Sequence, residues 1–596
     1  MIERLSAAVG SALAVLLGAG HVGAADIEIA EGKLTVNGSA YYGTAVRTAG
    51  QDCQLLADAN ASLVGSRGCG ASASSGKNQD DGNLNFKRGD FVANVFKGYL
   101  SFDYRWRDYG IIASGKAWYD WTVANASQPW GNIPNDFTPG RLGDSGAIAR
   151  SKFSGVVSDN VNVYGTNRFR GTEIAWKIGY QKLDWGNRYI VIGGLRDLTP
   201  LDIPGALRPG RVRDDETRVA IPMIFARVKP SPRWTIEGFW QFQFHRNVPN
   251  QCGTLFSRQD FVSEGCDKVF LGPGSDRQSL ETGNYIKRAP TPDPTDVNQG
   301  GVAVRYKHEP WSTEFGAYAV SFHSRRVFYS AINTQRTGDI PYIPGDPGGL
   351  NPRYFTEFPE SIQMYALTFD KAWRGGAVFG EFAWRPNQPL QYNAADLIAA
   401  FGSNVAPTPL RDQVEAIPAG GVFHAWERHH LVQLQLGAFQ NVPSVLKADF
   451  LNLRAEFIWK NVPDLPDLSV ARFGRSDVFG QGPIDGVCPP PQDPVQCSLD
   501  GYVSKNALGF RLRAALLYRS VLQGLDLLPS VFFGHDIMGW SGDGAILQGR
   551  YVARVELEAT IMKNRKVGIA WQPTWGGAYN NLRDRGIALA WAGYVF

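Results

Sequence analysis

Apolar and polar residues alternate along much of this chain with a period of two. In 551–560, YVARVELEAT, Val552, Arg554, Glu556 and Glu558 alternate with Ala553, Val555, Leu557 and Ala559. In 99–107, YLSFDYRWR, one face carries Leu100, Phe102, Tyr104 and Trp106, and the other Ser101, Asp103, Arg105 and Arg107. The same rhythm runs through FWQFQFH at 239–245, LVQLQLGA at 431–438, LNLRAEFIW at 451–459 and RLRAALLY at 511–518. Successive side chains of a strand point to opposite faces, so the period predicts strands with one apolar and one polar side. A charge at every second position suits a strand set between lipid and a wet interior.

The connections sharpen this. Short turns are expected at 108–110, 230–232, 308–311, 372–375, 521–525 and 563–566, and a less marked one at 184–187. Between them lie long segments rich in Gly, Pro, Asn and Asp, near 47–90, 124–167, 246–298, 325–360, 386–428 and 461–505. Short turns at one end and long loops at the other predict an outer-membrane barrel. In lipid every backbone polar group must be paired, so the sheet must close on itself. Eight hairpins with a first strand at 33–46 and a last at 586–596 make the expected fold an all-β transmembrane antiparallel β-barrel of about 16–18 strands, with long extracellular loops. The segment NAADLIAAFG, 393–402, spaces Leu397, Ile398 and Phe401 as a helix does, with Gly402 at its end. It is read as a short helix in an outer loop or as part of a plug in the lumen.

Residues 1–25 read as a secretory signal peptide: Arg4, an apolar run over 7–20, then small residues in HVGAAD. The barrel then occupies 26–596. No later apolar run is long enough for a membrane helix. Hydrophobic residues make up 44% and charged ones 19%, which argues against disorder, and a net charge of +4 with no basic run argues against a nucleic-acid partner. The 17 Trp and 22 Tyr suit a membrane interface. Six cysteines fall in three close pairs within long loops, and in an exported chain the expected disulfides are Cys53–Cys69, Cys252–Cys266 and Cys488–Cys497.

Candidate chemistry is sparse. His424, His429 and His430 in HAWERHH lack the His-Glu-x-x-His spacing, so no metal and no cofactor are expected. In GHDIMGWS the adjacent His535 and Asp536 would point to opposite faces of a strand, and no Gly-x-Ser-x-Gly elbow is present, so no catalytic residue and no enzyme are expected. The strand registers place Asp103, Arg105, Arg107, Arg305, Glu314, Glu381, Arg454, Glu456, Arg511, Arg513, Arg554, Glu556 and Glu558 toward the lumen. Such charges either pair into a solvated interior or set a selectivity field. The segment RPGRVRDDE, 208–216, is a candidate constriction or a cap on the barrel mouth.

The chain ends in WAGYVF, with Phe596 last and Tyr594 two residues before it, which resembles the C-terminal signature of Gram-negative outer-membrane barrels. That signature implies recognition by the barrel assembly machinery. The stretches WKIGYQKLDWGN (176–187), LRDLTPLDIPGALRPG (195–210), CGTLFSRQDFVSEGC (252–266), EFPESIQMYALTFD (357–370), WRPNQPLQYNAADLI (384–398), GHDIMGWS (534–541) and NNLRDRGIALAW (580–591) are similar to the DUF1302 family of outer-membrane proteins. The resemblance implies a barrel in the bacterial outer membrane that handles hydrophobic compounds or lipids, beside envelope transport machinery. It supplies no catalytic residues. The expected function is a channel or transporter for a small, largely hydrophobic compound or lipid, with outer-membrane lipid and a periplasmic transport partner as further contacts. The alternatives are a component of an export or lipid-trafficking assembly, a general porin and a structural surface protein.

Overall fold

The structure is a computed structural model that describes residues 25–29, 31–69, 76–131, 140–186, 188–210, 216–338, 340–488 and 494–596. Apart from Ala25, the expected signal peptide lies outside these residues. Eighteen strands form the wall: β1 (Gly32–Arg47), β2 (Phe91–Trp106), β3 (Tyr109–Asp120), β4 (Ser154–Phe169), β5 (Thr172–Gln181), β6 (Ile221–Ser231), β7 (Trp234–Gln241), β8 (Gly300–His308), β9 (Thr313–Phe322), β10 (Ile362–Trp373), β11 (Gly376–Gln391), β12 (Trp426–Pro443), β13 (Phe450–Asn461), β14 (Asn506–Leu522), β15 (Leu525–Met538), β16 (Arg550–Ile561), β17 (Arg565–Gln572) and β18 (Ile587–Val595). Each pairs antiparallel with its neighbours in sequence, and β18 pairs with β1 from Ser39↔Val595 to Arg47↔Ile587, which closes the cylinder. Phe596 completes the seam by exchanging backbone bonds of 2.9 and 2.8 Å with Gly38.

The exterior follows from the alternation. Val555 and Leu557 on β16, Val567 and Ile569 on β17, and Val302 and Val304 on β8 are exposed, as lipid-facing residues of an isolated barrel must be. Beside the short turns stands a girdle of exposed aromatics: Trp106, Tyr109, Phe169, Trp234, Trp311 and Trp373. An apolar band edged by aromatics on a closed antiparallel barrel is the wall of an outer-membrane protein, its short turns periplasmic. No helix among the described residues is long and apolar enough to cross a membrane.

Two expectations about connections are corrected. The turn expected at 184–187 is not in the wall. The hairpin of that region turns instead at Arg170 and Gly171, whose φ of 48° and 83° make a two-residue turn of the primed type that matches strand twist. Residues 154–167, expected in a loop, are therefore strand β4. The helix does form, as Ala394–Gly402, but its Leu397, Ala400 and Phe401 pack on Leu410, Val414, Phe423 and Phe473, in the cap that the long loops build outside the wall. It is not the plug. All three expected disulfides are present in these loops.

Candidate functional site in the lumen

Of the segment between β5 and β6, residues 182–186, 188–210 and 216–220 are described, and they fold into the barrel. Leu183, Trp185, Leu195 and Leu198 bury themselves against the inner faces of β6 to β11, on Ile221, Met223, Phe239, Ala303, Val320, Phe322, Ile362 and Met364. Trp185 is the anchor. Its ring meets Phe239 and Tyr318 edge-on at 5.3 and 5.2 Å, and its indole N–H donates to Glu237 at 2.7 Å.

The far side of the plug is held differently. The backbone N–H groups of Ile190 and Val191 both donate to the Glu456 carboxylate on β13, at 2.8 and 2.9 Å. Leu195 N–H donates to Glu381 on β11 at 2.9 Å, and Gln435 on β12 donates to the Val191 carbonyl at 3.2 Å. Arg385 donates to the Gly194 carbonyl at 3.0 Å and pairs with Asp197 at 2.9 Å. The approach is close enough to require glycine. Gly194 has φ 55°, and a Cβ there would lie 1.7 Å from Glu381 Oε1. The segment then closes on itself, Thr199 Oγ1 donating to the Leu183 carbonyl at 3.2 Å, and Arg208 ends stacked over Trp118 at 3.9 Å. Of the expected constriction at 208–216, Arg208 and Glu216 are both inside the barrel. Glu216 pairs with Lys97 at 3.1 Å, while 211–215 lie outside the described residues.

Around the plug the predicted lumen charges separate into groups. Arg305 pairs with Glu237 and lies 3.6 Å from Glu314, and Glu237 also takes Arg227 at 2.5 Å. Arg227, Glu237 and Arg305, with Trp185, Met223 and Phe225, line a recess of about 190 Å³. Asp103 accepts from the Tyr164 hydroxyl at 2.6 Å and pairs with Arg105 at 3.2 Å. Arg454 lies 4.0 Å from Glu456 and directly across the sheet from Arg513, which is exposed to the lumen. Arg511 pairs with Asp536 at 2.7 Å, Arg554 with Glu556 at 2.6 Å, and Glu558 with Lys566 at 3.4 Å. Arg107 departs from the expectation. It sits in the turn one residue past β2, with φ 54°, where the pleat no longer aims it inward, and it pairs with Glu31 at 2.9 Å.

Sequence reasoning missed several members of this interior. Lys116 and Arg150 approach Asp159 and Asp202 at 3.7–3.9 Å, and Lys460 and Arg326 meet Asp543 from wall and cap. Lys97 was within reach, because the Asp103 register extended back three pairs lands on it. Glu237 was hidden by its apolar neighbours.

The histidines go to separate partners. His424 faces Glu357 at 2.9 Å, His429 lies 3.6 Å from Asp464, and the ring of His430 stacks on Trp384. His535 stacks on Tyr551 while its neighbour Asp536 turns to Arg511 and Arg550, so the two occupy opposite faces.

A model of the family described as protein of unknown function (DUF1302) matches residues 5–596. Among solved structures, OccAB3 of Acinetobacter baumannii is 9% identical over 95% of this chain and 100% of its own, with a TM-score of 0.40. The outer membrane channel DcaP of the same organism is 9% identical over 96% and 99%, with a TM-score of 0.34. OpdK of Pseudomonas aeruginosa, solved with vanillate, is 8% identical over 94% and 98%, with a TM-score of 0.35. No protein of curated function matches the chain. The barrel assignment rests on the strand register itself.

Proposed function

The chain belongs to the DUF1302 family, and we propose that it is an outer-membrane channel for a small, largely hydrophobic molecule or lipid, gated by the segment that fills its lumen. The observation that carries this reading is the apolar inner face of β6 to β11. A water-filled porin lines its interior with polar residues, whereas here Met223, Phe239, Val320, Phe322 and Met364 face inward. When the plug shifts, that face becomes a greasy track beside a charged one. A molecule with an apolar body and a polar end would meet both at the recess beside Trp185, where Arg227 and Arg305 offer cationic groups.

Movement follows a gradient or a partner, since no nucleotide-binding motif occurs in the sequence. The test is entry into proteoliposomes of a small aromatic hydrocarbon carrying one carboxylate, compared with a disaccharide. The reading expects protein-dependent entry of the first and exclusion of the second. Free passage of the disaccharide would make the protein a general porin and overturn the proposal.

A further inference from the structure

Four aspartates meet in the extracellular cap. Asp80 and Asp81 come from the loop after β1, and Asp260 and Asp276 from the loop after β7. All are at most 2% exposed. Carboxylate oxygens of Asp80, Asp81 and Asp276 lie within 4.8 Å of one another.

The charge of Lys77 acts on Asp80 and Asp276 and that of Arg585 on Asp80 and Asp260, while their hydrogen bonds go to other groups. The Lys77 ammonium donates to the Leu271 and Gly274 carbonyls at 2.7 and 3.2 Å and to the Ser279 hydroxyl at 3.1 Å. The Arg585 guanidinium goes to Asp584 and the Leu255 carbonyl. Asp80 accepts from Asn60 at 3.1 Å and from the Ala57 N–H at 2.8 Å, and Asp260 takes one long bond of 3.4 Å from the Asp81 N–H.

The Asp81 side chain, 1% exposed, has no N–H or O–H donor among the described residues. Its nearest polar neighbours are the Cys252 and Cys266 sulfurs at 3.5 and 3.7 Å, and sulfurs bridged in a disulfide have no proton to give. Asp81 Oδ1 and Asp260 Oδ1 have no hydrogen-bond partner among the described residues. Burying an unpaired carboxylate is costly, and crowding Asp81 against further buried carboxylates raises that cost unless a cation joins them.

We propose that Asp80, Asp81, Asp260 and Asp276 bind a calcium ion that ties the first extracellular loop to the loop held by Cys252–Cys266. The donor set is all oxygen, because both nearby sulfurs are bridged, which selects a hard cation over zinc. Calcium takes 6–8 oxygens in irregular geometry, so the four carboxylates, neighbouring carbonyls and water suffice, whereas magnesium demands a near-ideal octahedron. Both halves of the site are loop segments, so the ion links pieces of chain that share no strand pairing.

The test uses the full barrel in detergent, stripped with EGTA and titrated with calcium or magnesium while bound metal is counted by native mass spectrometry. The expected result is one calcium per barrel, saturating by about 1 mM, the range of extracellular calcium modules, with a higher midpoint for heat unfolding. Asp81→Asn should weaken that binding by about tenfold or more, since a ligand charge is lost. In the metal-free state the same variant should unfold later than wild type, because a carboxylate repulsion is gone. Heat-modifiable migration reports that each variant has folded. If Asp81→Asn fails to fold, EGTA-reversible calcium binding by wild type, with the shift in midpoint, decides the matter. No calcium on wild type, equal binding by the variant, or equal preference for magnesium would overturn the proposal.

Discussion

On β6 to β11 an apolar patch of the lumen wall grips the plug through Leu183, Trp185, Leu195 and Leu198. From β11 to β13 it is polar and grips the same segment by its backbone, through Glu381, Gln435 and Glu456. The two grips differ in kind. Apolar burial is strong and tolerates sliding, because it has no direction. A carboxylate that accepts two adjacent N–H groups has a fixed geometry and fails if the segment moves by an ångström or two. One side supplies hold and the other supplies position, which is the division a gate requires.

Breaking the apolar grip should have the largest effect. Trp185→Ala removes the anchor and leaves a cavity, which costs about 3–5 kcal/mol for a buried aromatic. The plug should then undock, and hydrogen exchange of 183–198 should speed up throughout. A second substitution sets the outer face of the polar side against its inner face. Leu557→Arg on β16 places a charge in lipid at about 2–4 kcal/mol near the midplane, so the heat-modifiable fraction should fall. Val552→Arg on the same strand points to the lumen, beside Gly534, and should fold better. Equal folding of the two would reverse the facing of the strand.

Loosening the polar grip should do less. Glu456→Gln keeps the shape but loses the charge that holds two N–H groups, worth about 1–3 kcal/mol. Exchange should rise at Ile190 and Val191 while Trp185 keeps its buried fluorescence. If exchange rises over the whole plug, the two grips are not separable. The smallest effect on stability belongs to Arg513→Ala. Arg513 is exposed in the lumen directly across from Arg454, so folding should change by less than about 0.5 kcal/mol. The ion selectivity of any residual conductance should shift toward cations.

The same contrast explains what the sequence could convey. Where one face of a strand is apolar and the other charged, as in LNLRAEFIW and YVARVELEAT, alternation marks the strand, β13 and β16 here, and Glu456 of β13 meets the plug at Ile190 and Val191. Where both faces are apolar, the signal fails. In IPMIFAR at the start of β6, Ile221 and Met223 face the plug while Ile224 faces outward, so no period marks the interior.

The plug was illegible for a related reason. Leu183 and Trp185 alternate with Lys182 and Asp184 as in a strand, and a local pattern cannot distinguish an apolar residue that meets lipid from one that meets another part of the chain. The hairpin expected at 184–187 turns instead at Arg170 and Gly171. The strand total agreed with expectation only because one hairpin was lost and another gained. The cysteine pairs were legible because their short separations leave few rival partners. The aspartates of the cap, spread from 80 to 276, were not, because loop packing alone brings them together.

The account rests most heavily on the plug as the element that fills the channel. Single-channel recording in planar bilayers tests this directly, comparing the native barrel with a variant in which 183–198 is replaced by a short Gly-Ser linker. The plug model predicts little or intermittent current through the native protein and large, steady current through the variant. Steady current of equal size from both would contradict it.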